Sequence, residues 1–446
     1  MLAFQADIQL LLFISMITLI PFVMRLGYDF ESTQLFAFNS IRSAFGLIMI
    51  LIAVGTLIGS WAASGTIPAL VNAGLKLISP NIFLPATLLL CMLASLATGT
   101  SWGTIGTIGI AMIGVGDGLG YPAAMTAGAI ICGAYFGDKL SPFSDSTNLA
   151  PALVGTKLMT HIRHLTWTTV PAIVLTGAIF TVLGFAAPHA ADLTNDRAQL
   201  ISSTLADNFH LGLPAFLPII VVLVLLALRK PAFPSIFLGA AAGAVVAIVY
   251  QGESVANTLS VLYAGFTVDT GTQVVDELVS GGGIESMLSV VALFIFAIGM
   301  AGLLSGSGML VSLIRPTLGW ISTQRRLLVV SVLLVPALVA LGGSFSFAAV
   351  MAGSLLLPLY QRFGLDPKNL SRIIEDSGTV TDPVFPWSSG GIFVAGVLGV
   401  STLSYLPFLY FAYLSIAVSM LYAVTGWKIH RAKPATAPAT AELATG

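Results

Sequence analysis

Six ionisable side chains lie in otherwise apolar sequence: Asp138, Lys139 and Asp145, then Glu375, Asp376 and Asp382. Each trio sits in or beside a run of Gly, Pro, hydroxyl and amide residues, Gly137–Asn148 (GDKLSPFSDSTN) and Gly378–Ser389 (GTVTDPVFPWSS). Pro and Gly interrupt a helix and free its backbone carbonyls and amides. Free carbonyls with Ser, Thr and Asn oxygens make a hard-oxygen environment suited to Na+, a hard cation. A carboxylate there supplies charge and can hold H+ in place of Na+, so one anion with two competing cations is a physical basis for exchange. The candidate ion ligands are Asp138, Ser141, Asp145, Thr147 and Asn148 in the first run, and Asp376, Thr379, Asp382 and Ser388 in the second. Asp145, flanked by Ser144, Ser146, Thr147 and Asn148, is the expected titrating anion.

Blander readings stand beside these. Asp138 and Lys139 can form a neighbouring ion pair that holds a broken helix together. Glu375 and Asp376 can pair with Lys368 and Arg372 near an interface, and Asp117 is expected as a solvated residue of the turn Gly114–Gly120. The small-residue stretches Thr98–Thr104 and Gly342–Ser346 read as hairpin tips, with Thr100, Ser101, Ser344 and Ser346 facing the site; close helix packing is the alternative. Trp102 is expected in a tip rather than as an interfacial anchor. The five histidines are expected in loops, with no clustering and no metal site beyond transported Na+.

The elements that position these residues must be membrane helices. Of 446 residues, 57% are hydrophobic and 8% charged, against roughly 25% charged in an average soluble domain. Net charge is −1, which gives no support to nucleic-acid binding. Cys91 and Cys132 lie in apolar stretches and are expected as small buried side chains. No His-Glu-x-x-His, Gly-x-Ser-x-Gly or phosphate-binding glycine loop is present, so neither an enzyme nor a cofactor is expected. The first apolar segment, Ile8–Met24, lacks a basic flank and reads as a retained helix.

It is the first of thirteen apolar segments, of which Thr104–Val115, Phe347–Tyr360 and Ile392–Val400 are too short to cross alone. Ten or eleven crossings plus two re-entrant hairpins are expected, in an all-α polytopic protein. Positive charge falls in three connections: Arg229 and Lys230; Arg315, Arg325 and Arg326; Lys428, Arg431 and Lys433. Two long acidic loops, Ala186–Gly212 and Gln251–Met287, should lie on the other side. The positive-inside rule makes the basic connections cytoplasmic, the C-terminus included.

Internal similarity divides the chain. Without gaps, Gly137–Asn148 lies on Gly378–Ser389, so that Pro142 meets Pro383, Ser141 meets Asp382 and Thr147 meets Ser388, with Gly155 on Gly396. The loop after the first motif carries Lys157, His161, Arg163 and His164, whereas the matching loop Ser401–Tyr405 is uncharged and one crossing before the basic C-terminus. Matching loops on opposite sides mean inverted-topology repeats of broken helices, an arrangement many secondary transporters use. The expected organisation is N-terminal membrane helices at 1–64, a first repeat at 65–185, external loops and linking helices at 186–287, a second, inverted repeat at 288–427, and a disordered cytoplasmic tail at 428–446.

The runs GAYFGDKLSPFSDSTNLAP (Gly133–Pro151), ATGTSWGTIG (Ala97–Gly106), EDSGTVTDPVFPW (Glu375–Trp387) and AGVLG (Ala395–Gly399) resemble the signatures of the NhaC family of Na+/H+ antiporters. The resemblance covers roughly residues 40 to 430. It implies a mostly bacterial protein of the cytoplasmic membrane that carries Na+ and H+ and works within the lipid bilayer. Family members usually have a further apolar segment before the one found here at Ile8–Met24. The family also contains Na+- and H+-coupled exchangers of malate for lactate, so a small organic anion or amino acid is the alternative substrate. No buried Arg is expected as a carboxylate clamp. A homodimer is compatible with the resemblance.

One consequence is testable without knowing the substrate. In a chain freed of its two cysteines, cysteines placed at Thr160 and Ser401 should label with an impermeant reagent from opposite sides of the membrane. Labelling from the same side would end the inverted-repeat reading.

Overall fold

A computed structural model describes residues 7–186 and 191–432, with the side chains of 191–196 not described. His189 and residues 433–446 of the expected tail lie outside the described residues. The chain opens with α1 (Ile8–Arg25) and α2 (Phe30–Ser43). The first half follows: α3 (Phe45–Ala63), α4 (Thr66–Leu77), α5 (Phe83–Thr98), α6 (Ser101–Thr104), α7 (Ile110–Gly118), α8 (Ala123–Leu140), α9 (Asp145–Val154) and α10 (Leu158–Ala186). A π-helical turn, Ile105–Gly109, joins α6 to α7. Linking helices are α11 (Ala191–Asn208), α12 (Leu217–Ala227), α13 (Ala232–Val246), α14 (Val255–Ala264) and α15 (Gln273–Val279). The second half has α16 (Gly283–Gly306), α17 (Met309–Gly319), α18 (Gln324–Gly342), α19 (Phe345–Arg362), α20 (Pro367–Ser377), α21 (Ser389–Leu398), α22 (Thr402–Tyr405) and α23 (Tyr410–Thr425), with a 3-10 segment at Thr379–Val384.

Among the described residues, seven helices are long and apolar enough to cross a membrane, or up to nine if each bent pair is one span. That is fewer than the ten or eleven expected crossings, because broken helices leave halves that are individually too short. Both acidic stretches expected as loops contain helix. α11 occupies most of the first and packs on α4, and α14 and α15 lie in the second, with α14 packed on α3 and α16.

The two halves correspond through their breaks. Glycines in the left-handed region end the first arm of each hairpin (Gly99, Gly343), the next turn (Gly120, Gly364) and the second half of each broken helix (Gly155, Gly399). Thr100 and Ser344 cap the next helix of each hairpin by accepting from Gly103 N and Phe347 N. Ser144 and Ser388 cap α9 and α21 by accepting from Thr147 N and Gly391 N. Each pair is offset by 244 residues. This corrects the register read from the motifs, where Pro142 was set on Pro383, an offset of 241. In the structural register Pro142 meets Pro386, Ser144 meets Ser388, Gly155 meets Gly399, and Asp138 meets Asp382. The cause is local: the second half keeps winding as 3-10 helix through Pro383 to Val384, so its backbone opens only at Phe385, as the first half opens at Ser141.

Helix α10 shows how the halves are oriented. Its 29 residues rise about 43 Å. At its last turn, Tyr121 at the base of the first hairpin donates to Gly184 O (3.4 Å), and Gly184 lies against Asn81. At its first turns, His161 Nδ1 hydrogen-bonds Ser371 Oγ at the start of α20 (2.9 Å), and the His164 ring lies edge-on to His430. Gln324, at the base of the second hairpin, donates to Phe363 O beside that same end. The two hairpins therefore enter from opposite ends, which is inverted topology. α13 runs alongside α3 in the same direction, with Gly239 against Leu57 and Gly243 against Ser60.

His161 and His164 are thus not in a loop. Both lie in α10 and are buried. Three more expectations fail in the same region. Lys139 pairs with Asp376 across the two halves (2.7 Å), not with Asp138. Asp376 also faces Arg372 Nε at 3.8 Å, an ion pair too long for a hydrogen bond. Arg372 is fully buried, so a buried Arg does exist; its Nη1 donates to Lys428 O. Lys368 takes Asp366 instead. At the other end Asp117 stays half-exposed, in the last turn of α7 rather than in a loop, and meets Arg197 at 3.4 Å. Lys139 Nζ also donates to Ser415 Oγ (2.9 Å), and Thr168 Oγ1 donates to Asp376 (2.8 Å), so α8, α10, α20 and α23 converge on one ion pair.

Leaving one charge of a buried pair without its partner costs about 3–5 kcal/mol, whereas replacing both by apolar groups is often neutral. Lys139→Met or Asp376→Leu alone should lower the melting temperature of the purified chain sharply, and the double variant should recover most of the loss. Equal damage from single and double variants would refute the pairing.

Candidate functional site

Local sequence opens the backbone and tertiary packing brings the openings together. Thr98–Gly99 ends α5 and Gly342–Gly343 ends α18; in both, a left-handed glycine turns the chain and a hydroxyl caps the next helix. After α8 the break is Ser141–Ser144, and after α20 it runs through the 3-10 segment to Ser388. Both tips and both breaks line a single cavity of about 910 Å3. Its rim includes exposed Ser43, Arg229 and Lys230, so it reaches the end where that basic connection lies. Arg229 stacks over the ring of Phe143 at 3.9 Å, where the first break meets that rim.

Two carboxylates face the cavity from symmetric positions. Asp138 Oδ2 accepts from Ser101 Oγ at 2.8 Å, and the Ser101 amide and the Ser144 hydroxyl also face it. Asp382 accepts from Ser389 Oγ, 3.1 Å to Oδ1, and the amides of Phe345 and Gly390 face it. Ser101 and Phe345 are equivalent first residues of the helices after the two tips. Each carboxylate thus sits before a helix N-terminus that opens at a hairpin tip, where unpaired amides favour negative charge. Gly390 is required by contact: a Cβ there would lie 2.5 Å from Asp382 Oδ2 and 2.6 Å from Tyr135 Oη.

The expected site residues divide into two sets. Thr100, Ser101, Asp138, Asp145, Ser344, Ser346, Thr379 and Asp382 line the cavity. Asp145 is exposed in the first turn of α9, and Thr379 Oγ1 donates to Glu375 Oε2 (2.5 Å). The remaining five do not line it and instead hold the breaks closed. Ser141 donates to Leu96 O, Thr147 to Asp138 O, and Asn148 to Pro142 O and Ser144 O. Ser388 donates to Asp382 O, and Asp376 is committed to Lys139. Sequence reasoning missed Tyr135, Ser389 and Gly390. Ser389 and Gly390 follow an N-cap and could have been sought as the start of a helix. Tyr135 looks like any apolar residue of α8, and only its contact with the other half singles it out.

Comparison with known proteins adds the family context. The profile of the Na+/H+ antiporter family matches residues 133–427. A Bacillus subtilis protein named malate-2H(+)/Na(+)-lactate antiporter is 40% identical over 420 residues, covering 94% of this chain and 89% of its own. The Na(+)/H(+) antiporter NhaC of Alkalihalophilus pseudofirmus is 36% identical over 405 residues, covering 90% and 86%. The arginine/ornithine antiporter ArcD of Halobacterium salinarum is 34% identical over 419 residues, covering 93% and 86%.

Gly390→Ala tests the site's tightness. The added methyl has no room beside Asp382, so the variant should lose Na+-induced thermal stabilisation of the purified chain. Gly46→Ala, where nothing lies within 4 Å of the new Cβ, should retain it. Retention in both would mean that the carboxylate is not held at that notch.

Proposed function

The chain belongs to the Na+/H+ antiporter family, and from that premise we propose that it exchanges Na+ for protons, with Asp138 and Asp382 as the carboxylates at which the two cations compete. The observation that carries this reading is the symmetric pair itself: two carboxylates, each before a hairpin-tip helix N-terminus, in one cavity reaching one end of the molecule. Ser101 and Ser389 hydroxyls supply neutral oxygens beside them. Asp145 takes the position equivalent to Ser389, so the first half offers two anions where the second offers one anion and a hydroxyl. The broken helices let the backbone bend at the site without exposing unpaired groups to lipid. Access then alternates as the two halves shift about the cavity. With basic connections cytoplasmic, the cavity described here faces the cytoplasm, and the C-terminus lies on that side.

A second reading has its own observation. A cavity of about 910 Å3 is far larger than one ion, and Arg229 and Lys230 stand at its rim. Those features suit a small organic anion carried with Na+ or H+, and relatives named for malate/lactate and for arginine/ornithine exchange accord with an organic substrate. The first reading is preferred because the less exposed charged groups lining the cavity, Asp138 and Asp382, are carboxylates, which repel an anion and attract a cation.

Purified protein in liposomes, with internal pH followed as Na+ is added, tests the exchange. Asp138→Asn and Asp382→Asn should each cut Na+-driven proton flux at least about tenfold, the scale of losing a charged contact of roughly 1.5–3 kcal/mol. Acid should raise the apparent KM for Na+, because H+ occupies the same oxygens. High Na+ should restore the rate at low pH with the maximal rate little changed. Failure of Na+ to rescue the rate would exclude shared carboxylates. Proton movement driven by malate, lactate or arginine and not by Na+ would favour the second reading.

A further inference from the structure

The two carboxylate sites are symmetric in backbone and unequal in side chains. In the first half, Ser101 stands at the first position of the helix after the tip and gives Asp138 a hydroxyl at 2.8 Å. The equivalent residue in the second half is Phe345, which offers Asp382 only its backbone amide. At that position Asp382 has no side-chain oxygen; its one hydroxyl comes from Ser389, where the first half has Asp145.

Tyr135 stands where that oxygen is missing. It belongs to α8 of the first half, one turn before Asp138, yet its hydroxyl reaches across to the second half. The residue is 3% exposed, lines the cavity, and its hydroxyl has no hydrogen-bond partner. Such an atom is uncommon in a folded interior and calls for an explanation. Its oxygen and Asp382 Oδ2 converge on the notch left by the absent side chain of Gly390, at 2.6 and 2.5 Å from where a Cβ would be. The Trp102 indole faces the same phenol and stacks on Phe393 of α21 (centroids 4.1 Å apart), which holds the first tip against the second half. The residue equivalent to Tyr135 is Thr379, whose hydroxyl is already given to Glu375. The crossing of halves is thus one-way.

We propose that the Tyr135 hydroxyl is a ligand of the Asp382 cation site, supplied from the opposite half in place of the hydroxyl that Phe345 lacks. The phenol oxygen coordinates Na+ when the site is filled. The Asp382 site is complete only while the two halves stand as they do here, so a shift between them removes a ligand and favours release. The Asp138 site has its ligands within one half and lacks this dependence.

This inference rests on the reading of Asp138 and Asp382 as cation sites, and its test separates the two. Equilibrium binding of radioactive Na+ to the purified full-length chain carrying Asp138→Asn reports the Asp382 site alone. Adding Tyr135→Phe should weaken Na+ affinity there by about five- to tenfold, as expected for one polar contact to a charged group. On an Asp382→Asn background the same change should alter affinity less than about twofold, since it has lost its partner. Phe345→Ser, which returns a hydroxyl at the symmetric position, should recover most of the affinity lost in the Asp138→Asn/Tyr135→Phe chain. Unchanged affinity on the Asp138→Asn background, equal losses on both backgrounds, or no recovery with Phe345→Ser would each overturn the proposal while leaving the carboxylates as cation sites. Na+ binding indifferent to Asp138→Asn and Asp382→Asn would instead defeat the exchange reading. Should Tyr135→Phe fail to reach the membrane, 3-fluorotyrosine placed at position 135 in the Asp138→Asn chain decides: it keeps the ring and hydroxyl but makes the oxygen a poorer ligand, so weaker Na+ binding supports the proposal and unchanged binding overturns it.

Discussion

A helix cannot be opened inside a membrane unless something other than water takes its freed amides and carbonyls. The rest of this structure depends on how that constraint is met at four places, two hairpin tips and two helix breaks. At each, a hydroxyl one residue outside the next helix accepts an amide hydrogen bond: Thr100, Ser144, Ser344 and Ser388. Carbonyls are met by hydroxyls pointing back, as in Thr147 to Asp138 O and Ser388 to Asp382 O. These caps cost little sequence and leave a few amides aimed at the cavity, where the carboxylates take them up. Satisfying the backbone and building the site are one arrangement.

The same economy explains why so many polar residues of the motifs avoid the cavity. Ser141, Thr147, Asn148 and Ser388 keep the breaks in shape, and the carboxylates and tip hydroxyls face the open space. Charge is divided likewise. Asp376 is neutralised by Lys139 and tethers the halves together, with Arg372 continuing the cluster toward the basic end. Asp138, Asp145 and Asp382 line the cavity and have no ion pair among the described residues. An anion with a fixed cation beside it would gain little by binding Na+, so separating the two sets keeps the cavity carboxylates open to exchangeable partners.

Asymmetry within the repeat is the second theme. Identical backbone turns carry Ser101 against Phe345, Asp145 against Ser389 and Tyr135 against Thr379. Inverted repeats supply two openings related by a shift between the halves, and side-chain differences are free to make the two carboxylates unequal. The stacking of Trp102 on Phe393 and the reach of Tyr135 toward Gly390 both cross from the first half to the second, so the environment of Asp382 depends more on how the halves sit together than that of Asp138 does.

Much was decided by sequence alone. Low charge with long apolar runs required membrane helices, because lipid-facing surface must be apolar. Pro, Gly and hydroxyl residues inside such runs marked tips and breaks, because local backbone chemistry is written in local residues. The uneven spread of Lys and Arg gave the inverted relation of the halves, since each connection carries its own charge. Other features needed tertiary structure. The register of the repeat was misread by three residues, because Pro383 resembles Pro142 in sequence while the chain continues winding through it and opens only at Phe385, just before Pro386. Lys139 was set beside Asp138 by adjacency, but its partner Asp376 is 237 residues away, on the other half. His161 and His164 looked like loop residues because their neighbours are charged, yet α10 begins earlier and buries them against α20 and the segment after α23. Tyr135 carried no signal, since an aromatic residue in an apolar helix is ordinary until packing shows what its hydroxyl faces. Sequence encodes which backbone can open and where charge can stand; which carboxylates share a cavity and which are already paired depends on contacts between halves more than 200 residues apart, and only folding makes those.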